Sequence, residues 1–401
     1  MTESKSSDLI AGSTSVEARS QASRFIYETI IVGGGISGLG CARTLQSNGR
    51  SRFVLITENV GGRILFSKDG LVSFGPWYAR EDYEHVRPFL EISRRVGYFD
   101  VTFHKGVSRY HMFGLRFLRH PFQAYRTVRA VARYKKEYLR FKKESVTRSQ
   151  KDAIESNAYL KKMHETDASI FMREEGIEDF AHDFLGEVLY GTTFLDIAQL
   201  SAANMLHFSL PLVSKTYRFA FDRQAATAGL EDKMIFDTVV RVAKKDGVWS
   251  VITRSGNEYR AQHLVISTSP EVAKRLLPIH FENKGIGIHM FYVRGRLKRF
   301  WREGREEVFP ESSKVVAISK ESEGAYLLCS HGSRPAFSTY FDSYEVVEEK
   351  EWNPAFHLIG KQLFQANAGD GLYFTGDYIY PNIEDSYITG MYAANEISKQ
   401  F

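Results

Sequence analysis

The sequence predicts an α/β fold that opens with a Rossmann-like, dinucleotide-binding strand–turn–helix. Three observations carry this. Tyr27–Val32 is a short run rich in β-branched residues, the mark of a strand buried in a parallel sheet. It runs into Gly33-x-Gly35-x-x-Gly38, and Ile36–Leu45 then has the apolar spacing of an amphipathic helix. A second strand, Arg52–Thr57, ends at Glu58, twenty residues after Gly38.

Each part has a physical role. Gly33 permits the tight turn, Gly35 lets the backbone approach a pyrophosphate, and Gly38 lets helix and strand pack closely. The helix N-terminus, with Ile36 and Ser37 in its first turn, offers N–H donors and the positive end of a dipole. Glu58 stands where a carboxylate accepts hydrogen bonds from an adenosine ribose.

Gly61-Gly62-Arg63 follows at once. A glycine pair and an arginine so soon after the ribose acid resemble the flavoprotein superfamily of flavin amine oxidases, protoporphyrinogen oxidases and phytoene desaturases. The resemblance implies FAD as cofactor, with Gly61 and Gly62 bringing backbone to its pyrophosphate and Arg63 adding positive charge there. The stretch from Glu58 to Gly61 is about three residues shorter than the family pattern, which lets Asn59 share the ribose contact.

Lys68-Asp69-Gly70 reads as a hairpin turn between short strands. Gly75-Pro76 resembles the family segment that passes near the isoalloxazine ring, although Ser73 replaces its acid. Gly75, Pro76 and Trp77 then line the flavin side of a substrate cavity, or else form an ordinary turn with a core tryptophan. Asp82–Gly97 is expected to be a helix closed by a glycine C-cap. Residues 113–145 hold ten Lys/Arg against two Glu, and Phe122, Tyr125, Val128, Val131, Ala132 and Leu139 recur at near-helical spacing. A basic amphipathic helix after Pro121 suits a membrane headgroup region, and it equally suits a solvated surface helix.

Ala168–Leu206 resembles the family's helical segment, with Phe171, Gly176, Phe180, Phe184, Tyr190, Phe194 and Ser201-Ala202 keeping its rhythm. It is expected to roof the substrate cavity. Strands are expected at Lys233–Val242, in a hairpin of Val248–Thr253 and Glu258–Tyr259, and at Gln262–Ser267. The resemblance puts Val240 against the adenine. Gly287–Arg294, Lys314–Lys320 and Gly324–Ser330 are expected to form most of a second sheet. In the amine oxidases a lysine near the first of these strands holds a water against flavin N5. Here His289 is the only titratable residue at that place, more in keeping with a core histidine, and Lys284 is a poor match.

Near the C-terminus, Leu372–Thr375 reads as a strand followed by Gly376-Asp377, which by resemblance contacts the ribityl or pyrophosphate oxygens. Asn382–Gly390 lies over the family's helix start without a gap. Its N-terminal residues, Ile383 and Glu384, then face the flavin pyrimidine edge. Asp385 departs from the family's glycine, and it either opposes negative charge on the ring or caps the helix.

Composition bounds the rest. At 401 residues two domains are the default. The net charge of +5 is too small to imply nucleic acid. Only Cys41 and Cys329 are present, which fits a reducing compartment. No run approaches the ~18–20 apolar residues of a membrane-spanning helix, and residues 1–24 read as a disordered tail. Nothing suggests a metal cluster. Aromatic residues at 13% fit an aromatic-lined cavity or simply an aromatic core.

The expected architecture is therefore a Rossmann-like FAD-binding domain discontinuous in sequence (25–80, 225–275 and 365–401) with a mixed-sheet and helical substrate domain (81–224 and 276–364). The expected activity is a two-electron dehydrogenation of an apolar or partly apolar small molecule, with Trp77, Tyr378 and Tyr380 as cavity candidates. A flavin amine oxidase and an FAD-binding protein without turnover are the alternatives. The expected location is cytoplasmic, with or without peripheral membrane contact through residues 113–145.

Overall fold

The structure is a computed structural model and describes residues 26–105, 108–301 and 304–400. The expected tail at 1–24 lies outside the described residues. The first strand, β1 (Ile26–Val32), is followed by α1 (Ile36–Ser47) and β2 (Phe53–Thr57). Ile30 and Val32 pack with Trp249, Val251 and Leu264, whereas Ile31 packs with Leu39, Leu45 and Phe53. The strand is buried on both faces, which is why its sequence is apolar without alternation.

The main sheet runs in the order Asn367–Gly369, Leu372–Phe374, Glu258–Ile266, β1, β2, Met234–Phe236, with Val248–Thr253 and Val239–Lys245 paired off this path. The pairs between Leu372–Phe374 and Met234–Phe236 are all parallel, and the register aligns Val32 with Ile56 and Ile266, Ile266 with Phe374, and Thr57 with Phe236. The carboxyl ends of five strands from distant parts of the chain thus reach one edge. Cofactors of open α/β sheets bind at such an edge.

A second sheet joins Phe341–Ile359, Lys284–Leu297, Ala325–Ser330, Val315–Ser322, Glu306–Val308, Val101–Lys105 and Ser108–Tyr110. The helices at Ala168–Glu175, Gly186–Thr193 and Ala202–Phe208 are built on buried apolar residues that include Phe171, Leu189, Met205 and Leu206, with Phe180 and Phe184 buried between the first two.

Several local expectations are corrected. Asp82–Gly97 is not a helix. Arg87–Phe89 makes one 3₁₀ turn, and Leu90–Val96 is a strand paired with Thr216–Phe221. Its burial alternates residue by residue, and a period of two suits a strand. Glu258–Tyr259 and Gln262–Ser267 are one strand, Glu258–Ile266, whose first half also closes the hairpin with Val248–Thr253. The 19-residue strand Phe341–Ile359 was not anticipated, because its charged run hides the alternation of an edge strand. The basic helix spans Pro121–Glu144, but its inward face is Ala124, Thr127, Val131, Tyr134, Tyr138 and Phe141. Of the apolar series read from the sequence, Phe122, Tyr125, Val128 and Ala132 are exposed.

α1 and the C-terminal helix (Ile383–Ser398) meet backbone to backbone. A Cβ on Gly390 would stand 2.0 Å from the Ser37 carbonyl oxygen, and one on Gly38 would stand 1.9 Å from that of Gly33. Neither neighbour is a flexible side chain, so the backbone itself would have to move. Gly38→Ala and Gly390→Ala should each destabilise the fold by about 1–3 kcal/mol or more. Denaturant titration checks this, and an unchanged midpoint in either variant would sink the packing argument.

Candidate functional site

Gly33 leaves β1 with φ +108, and a Cβ there would lie 2.5 Å from the Ser267 carbonyl oxygen. The Gly34 N–H donates to Thr57 Oγ1 at 2.8 Å, which ties the turn to the end of β2. Gly35 caps α1 without contributing a side-chain hydrogen bond, and no acid occupies the first helical turn. The second glycine loop closes against the first. Gly61 N–H donates to Gly34 O at 2.8 Å, and a Cβ on Gly62 would lie 3.1 Å from Gly35 Cα. Gly33–Gly35 and Gly61–Gly62, separated by α1 and β2 in sequence, become one floor made of backbone.

Gly35 is the informative member of this floor. Its φ of −66 is open to any residue, and a Cβ there would find nothing nearer than 3.9 Å. Packing within the chain therefore does not require glycine at 35.

The floor is one end of a cavity of about 870 Å³. That is in the upper part of the roughly 300–1,000 Å³ range of small-molecule sites. Glu58, at the end of β2, accepts from Thr238 Oγ1 at 2.6 Å and has Arg254 Nη2 at 3.7 Å. Asn59, Asp237, Thr238, Val240 and Arg254 line this part with it. Elsewhere the wall is largely apolar and includes Phe194, Ile288, Met290, Trp352 and Phe356.

Arg63 and Asp377 also line the cavity, and they bind each other. Arg63 donates to Asp377 Oδ1 and, at 2.7 Å, to the Ala355 carbonyl oxygen. The sequence assigns each a separate contact, but in the folded chain they form one ion pair. The Gly376 N–H donates to Thr389 Oγ1 at 2.8 Å, fixing this turn to the C-terminal helix.

Most of the sequence-predicted residues converge here. Gly33, Gly35, Ile36, Ser37, Glu58, Asn59, Gly61, Gly62, Arg63, Gly75, Pro76, Trp77, Val240, Gly376, Asp377 and Ile383 all line the cavity. Gly38 lies beneath it, in the packing role read for it.

Three residues are corrected, since none of them lines it. Tyr378 is buried with its ring stacked on Phe364 at 4.5 Å and edge-on to Phe281. Tyr380 turns the other way, packs on His207 at 4.8 Å and accepts a hydrogen bond from Tyr134 at 3.0 Å. Glu384 is fully buried and accepts from the N–H groups of Glu84 at 2.9 Å and Val86 at 3.1 Å, with His85 Nδ1 at 2.9 Å. Burial pushes its carboxyl up, but His85, Lys142 and those N–H groups outweigh burial and hold it below the usual range. It secures the loop at 84–86.

Asp385 is corrected in the same way. The helix is capped by Asn382, whose Oδ1 accepts from Asp385 N–H at 2.8 Å. The Asp385 carboxylate faces the basic helix, where it accepts from Tyr138 OH at 2.9 Å and from Asn382 Nδ2. Burial raises it to about 6, against Asn382, Arg80, Tyr138 and Lys142. His289 lies between Ile288 and Met290, which line the cavity, and so points to the other face of its strand. There it meets Glu351 at 3.2 Å.

Sequence reasoning missed His207, Trp352 and Phe356. Trp352 and Phe356 lie on the unanticipated strand Phe341–Ile359. His207 lies in the last turn of the helix Ala202–Phe208 and lines the cavity. Its Nε2 is 3.1 Å from Asn382 Nδ2. Because Asn382 Oδ1 is committed to the helix cap, Nδ2 is the donor and Nε2 the acceptor, which places the imidazole proton on Nδ1. Burial, with Arg80 adding to it, holds this imidazole well below its ordinary pKa, so it is neutral. No group of three His, Cys, Asp or Glu able to hold a metal occurs among the described residues.

Solved structures share this fold. A putrescine oxidase bound to putrescine matches with a TM-score of 0.65 at 14% identity, over 93% of this chain and 99% of its own. Cyclohexylamine oxidase from Brevibacterium oxydans IH-35A matches with 0.62 at 14%, over 94% and 98%. A CLA-producing fatty acid isomerase from P. acnes matches with 0.65 at 12%, over 94% and 98%. No protein-family model and no curated protein sequence matches the chain.

The position of Asp385 has a consequence for pH. Between the ordinary 3.8 and about 6 the folded chain keeps a proton that the unfolded chain has released. Stability contributed by this group is therefore lost as pH rises through that window. Asp385→Asn should show a smaller fall in unfolding free energy from pH 4 to 6, by about 2 kcal/mol. Denaturant titration at each pH checks this, and parallel curves for the two proteins would refute the assignment.

Proposed function

We propose that the chain is an FAD-dependent oxidoreductase that dehydrogenates an apolar or partly apolar small organic molecule. The observation that carries this reading is a single cavity joining a backbone cradle at a helix N-terminus to an apolar chamber. On this reading Gly33–Gly35 and Gly61–Gly62 hold the pyrophosphate with backbone N–H groups, and Glu58 and Asn59 receive the adenosine ribose. Val240 lies along the adenine. Gly376 and Asp377 meet the ribityl chain, with Arg63 paired to Asp377 beside it. Ile383, at the start of the C-terminal helix, borders the pyrimidine edge, where the helix dipole favours negative charge.

Bound FAD supplies two-electron acceptance, usually as a hydride from a C–H or C–N centre. The chain's own residues orient the reactant and exclude water. Trp77, Phe194, Ile288, Met290, Trp352 and Phe356 form the wall against which an apolar molecule would lie. Segments 25–80, 225–275 and 365–401 would carry the cofactor, and 81–224 and 276–364 the substrate.

Two observations weigh among the alternatives. The strand expected to carry an amine-oxidase lysine presents Ile288 and Met290 to the cavity, and no lysine is among the residues that line it. This favours an apolar substrate over an amine. Asp385 faces away from the cavity, which removes the main reason to read the chain as a flavin binder without turnover.

The purified protein should be yellow, with about one FAD per chain. Gly35→Val should lose the flavin, while its apoprotein unfolding free energy falls by only about 1 kcal/mol, the cost of a β-branched residue at the helix cap, because a Cβ there meets nothing nearer than 3.9 Å. Flavin absorbance and thermal melts read the two effects separately. Retention of stoichiometric FAD by that variant would overturn the cradle assignment. Anaerobic flavin bleaching by primary amines, but not by apolar C–H donors, would instead favour the amine-oxidase reading.

A further inference from the structure

The basic helix buries one face and leaves a second apolar face uncovered by the described residues. Phe122 and Tyr125 project from its first turns at 81% and 67% exposure, and Val128 continues the line. Immediately before the helix, Leu118, Leu115 and Phe113 are 69%, 85% and 56% exposed. Phe99 extends the patch, at 83% exposure and with its ring 5.4 Å from that of Phe113. Beneath it, Phe117 anchors the loop, 5.5 Å from Phe113 and 6.0 Å from the core ring of Phe184. Single exposed apolar residues need no explanation, but a run of large ones on one continuous surface does.

The charges around this patch are mostly positive. Arg119, Arg126 and Arg129 are exposed at the turns that carry the apolar residues, and Arg133 and Lys136 continue along the helix. Asp183, the carboxylate beside the loop, is already held by Lys105 at 3.1 Å, His120 at 3.2 Å and Arg116 at 3.4 Å. Asp179 accepts from Gln123 at 2.9 Å. A second copy of the chain placed symmetrically on this face would set the same arginines against each other, which costs energy. A bilayer with anionic headgroups would instead receive the apolar side chains in its interface and the arginines at its phosphates. No helix among the described residues is long and apolar enough to cross a membrane, so the contact would be peripheral.

We propose that Phe99, Phe113, Leu115, Leu118, Phe122 and Tyr125, ringed by Arg119, Arg126 and Arg129, form a docking surface for an anionic phospholipid bilayer. The inference is independent of the flavin reading.

The test is cosedimentation of the full-length protein with phosphatidylglycerol/phosphatidylcholine vesicles and with phosphatidylcholine vesicles alone. Binding is expected on the anionic vesicles and should weaken as the Debye length falls from about 30 Å at 0.01 M salt to about 8 Å at 0.15 M. Leu118→Ser/Phe122→Ser/Tyr125→Ser should weaken it about tenfold or more at fixed salt, because apolar burial contributes alongside charge. Arg119→Gln/Arg126→Gln/Arg129→Gln keeps the apolar side chains and should flatten the salt dependence. It also decides the question should the serine variant fail to fold, as judged by circular dichroism. Three results would overturn the proposal: no cosedimentation at low salt, equal binding by the serine variant, or a salt dependence unchanged in the glutamine variant. A concentration-dependent dimer abolished by the serine substitutions, without vesicle binding, would assign the patch to a second copy and would also overturn it.

Discussion

The contact between the turn at Gly33–Gly35 and the loop at Gly61–Gly62 is the constraint on which the site depends. The two segments touch through backbone atoms, Gly61 N–H to Gly34 O at 2.8 Å, with Thr57 bracing the turn from β2. Side chains there would separate the loops or fill the floor of the cavity. The strands behind it must then end in register, because Gly33 follows β1, Glu58 follows β2, and Ser267 follows Glu258–Ile266. Parallel pairing supplies that register, and burial on both faces keeps it from slipping.

A second constraint positions the C-terminal helix. Under the basic helix lies a buried cluster of Arg80, Asp82, Lys142, Glu384 and Asp385. Arg80 pairs with Asp82 at 2.9 Å and donates to Tyr138 OH at 2.9 Å. Lys142 lies 3.7 Å from both Asp82 and Glu384 and donates to the Asp82 carbonyl oxygen. Charges removed from water must be paired and hydrogen-bonded, and removing one partner leaves the others with a cost of several kcal/mol. The cluster thereby locks three distant segments together: the loop after Trp77, the basic helix and the first turn of the C-terminal helix. Arg80 also lines the cavity, whereas Glu384, expected at the flavin edge, is buried within the cluster. Glu384 and Asp385 are spent on this lock, and Asn382 and Ile383 are left at the cavity.

Legibility in the sequence followed the range of the interaction. The glycine motif, β1, β2 and the C-terminal helix are local patterns, and each was found where it was read, to within a few residues at the ends, whereas Lys233–Val242, read as one strand, is two, Met234–Phe236 and Val239–Lys245, with different partners. Asp82–Gly97 was misread and Phe341–Ile359 missed because their conformation is decided by pairing partners far away, Thr216–Phe221 and Lys284–Leu297. The direction of a side chain was least legible. One residue along a strand reverses the face, so His289 pointed outward while its neighbours Ile288 and Met290 lined the cavity. Tyr378 and Tyr380 lie within three residues of Asp377, yet they turned into two separate cores away from the cavity.

The sequence alone determined that a parallel α/β unit would carry two glycine-lined turns and an acid at the end of its second strand. Steric room and backbone conformation are properties of single residues, and glycine announces them. It also determined that a strongly basic helix would follow Pro121. Only the tertiary structure decided which residues face the cavity, that Arg63 and Asp377 would pair, and which side of the basic helix would be covered. Those outcomes depend on register, on charge pairing across the chain and on what burial leaves exposed, and no local stretch contains them.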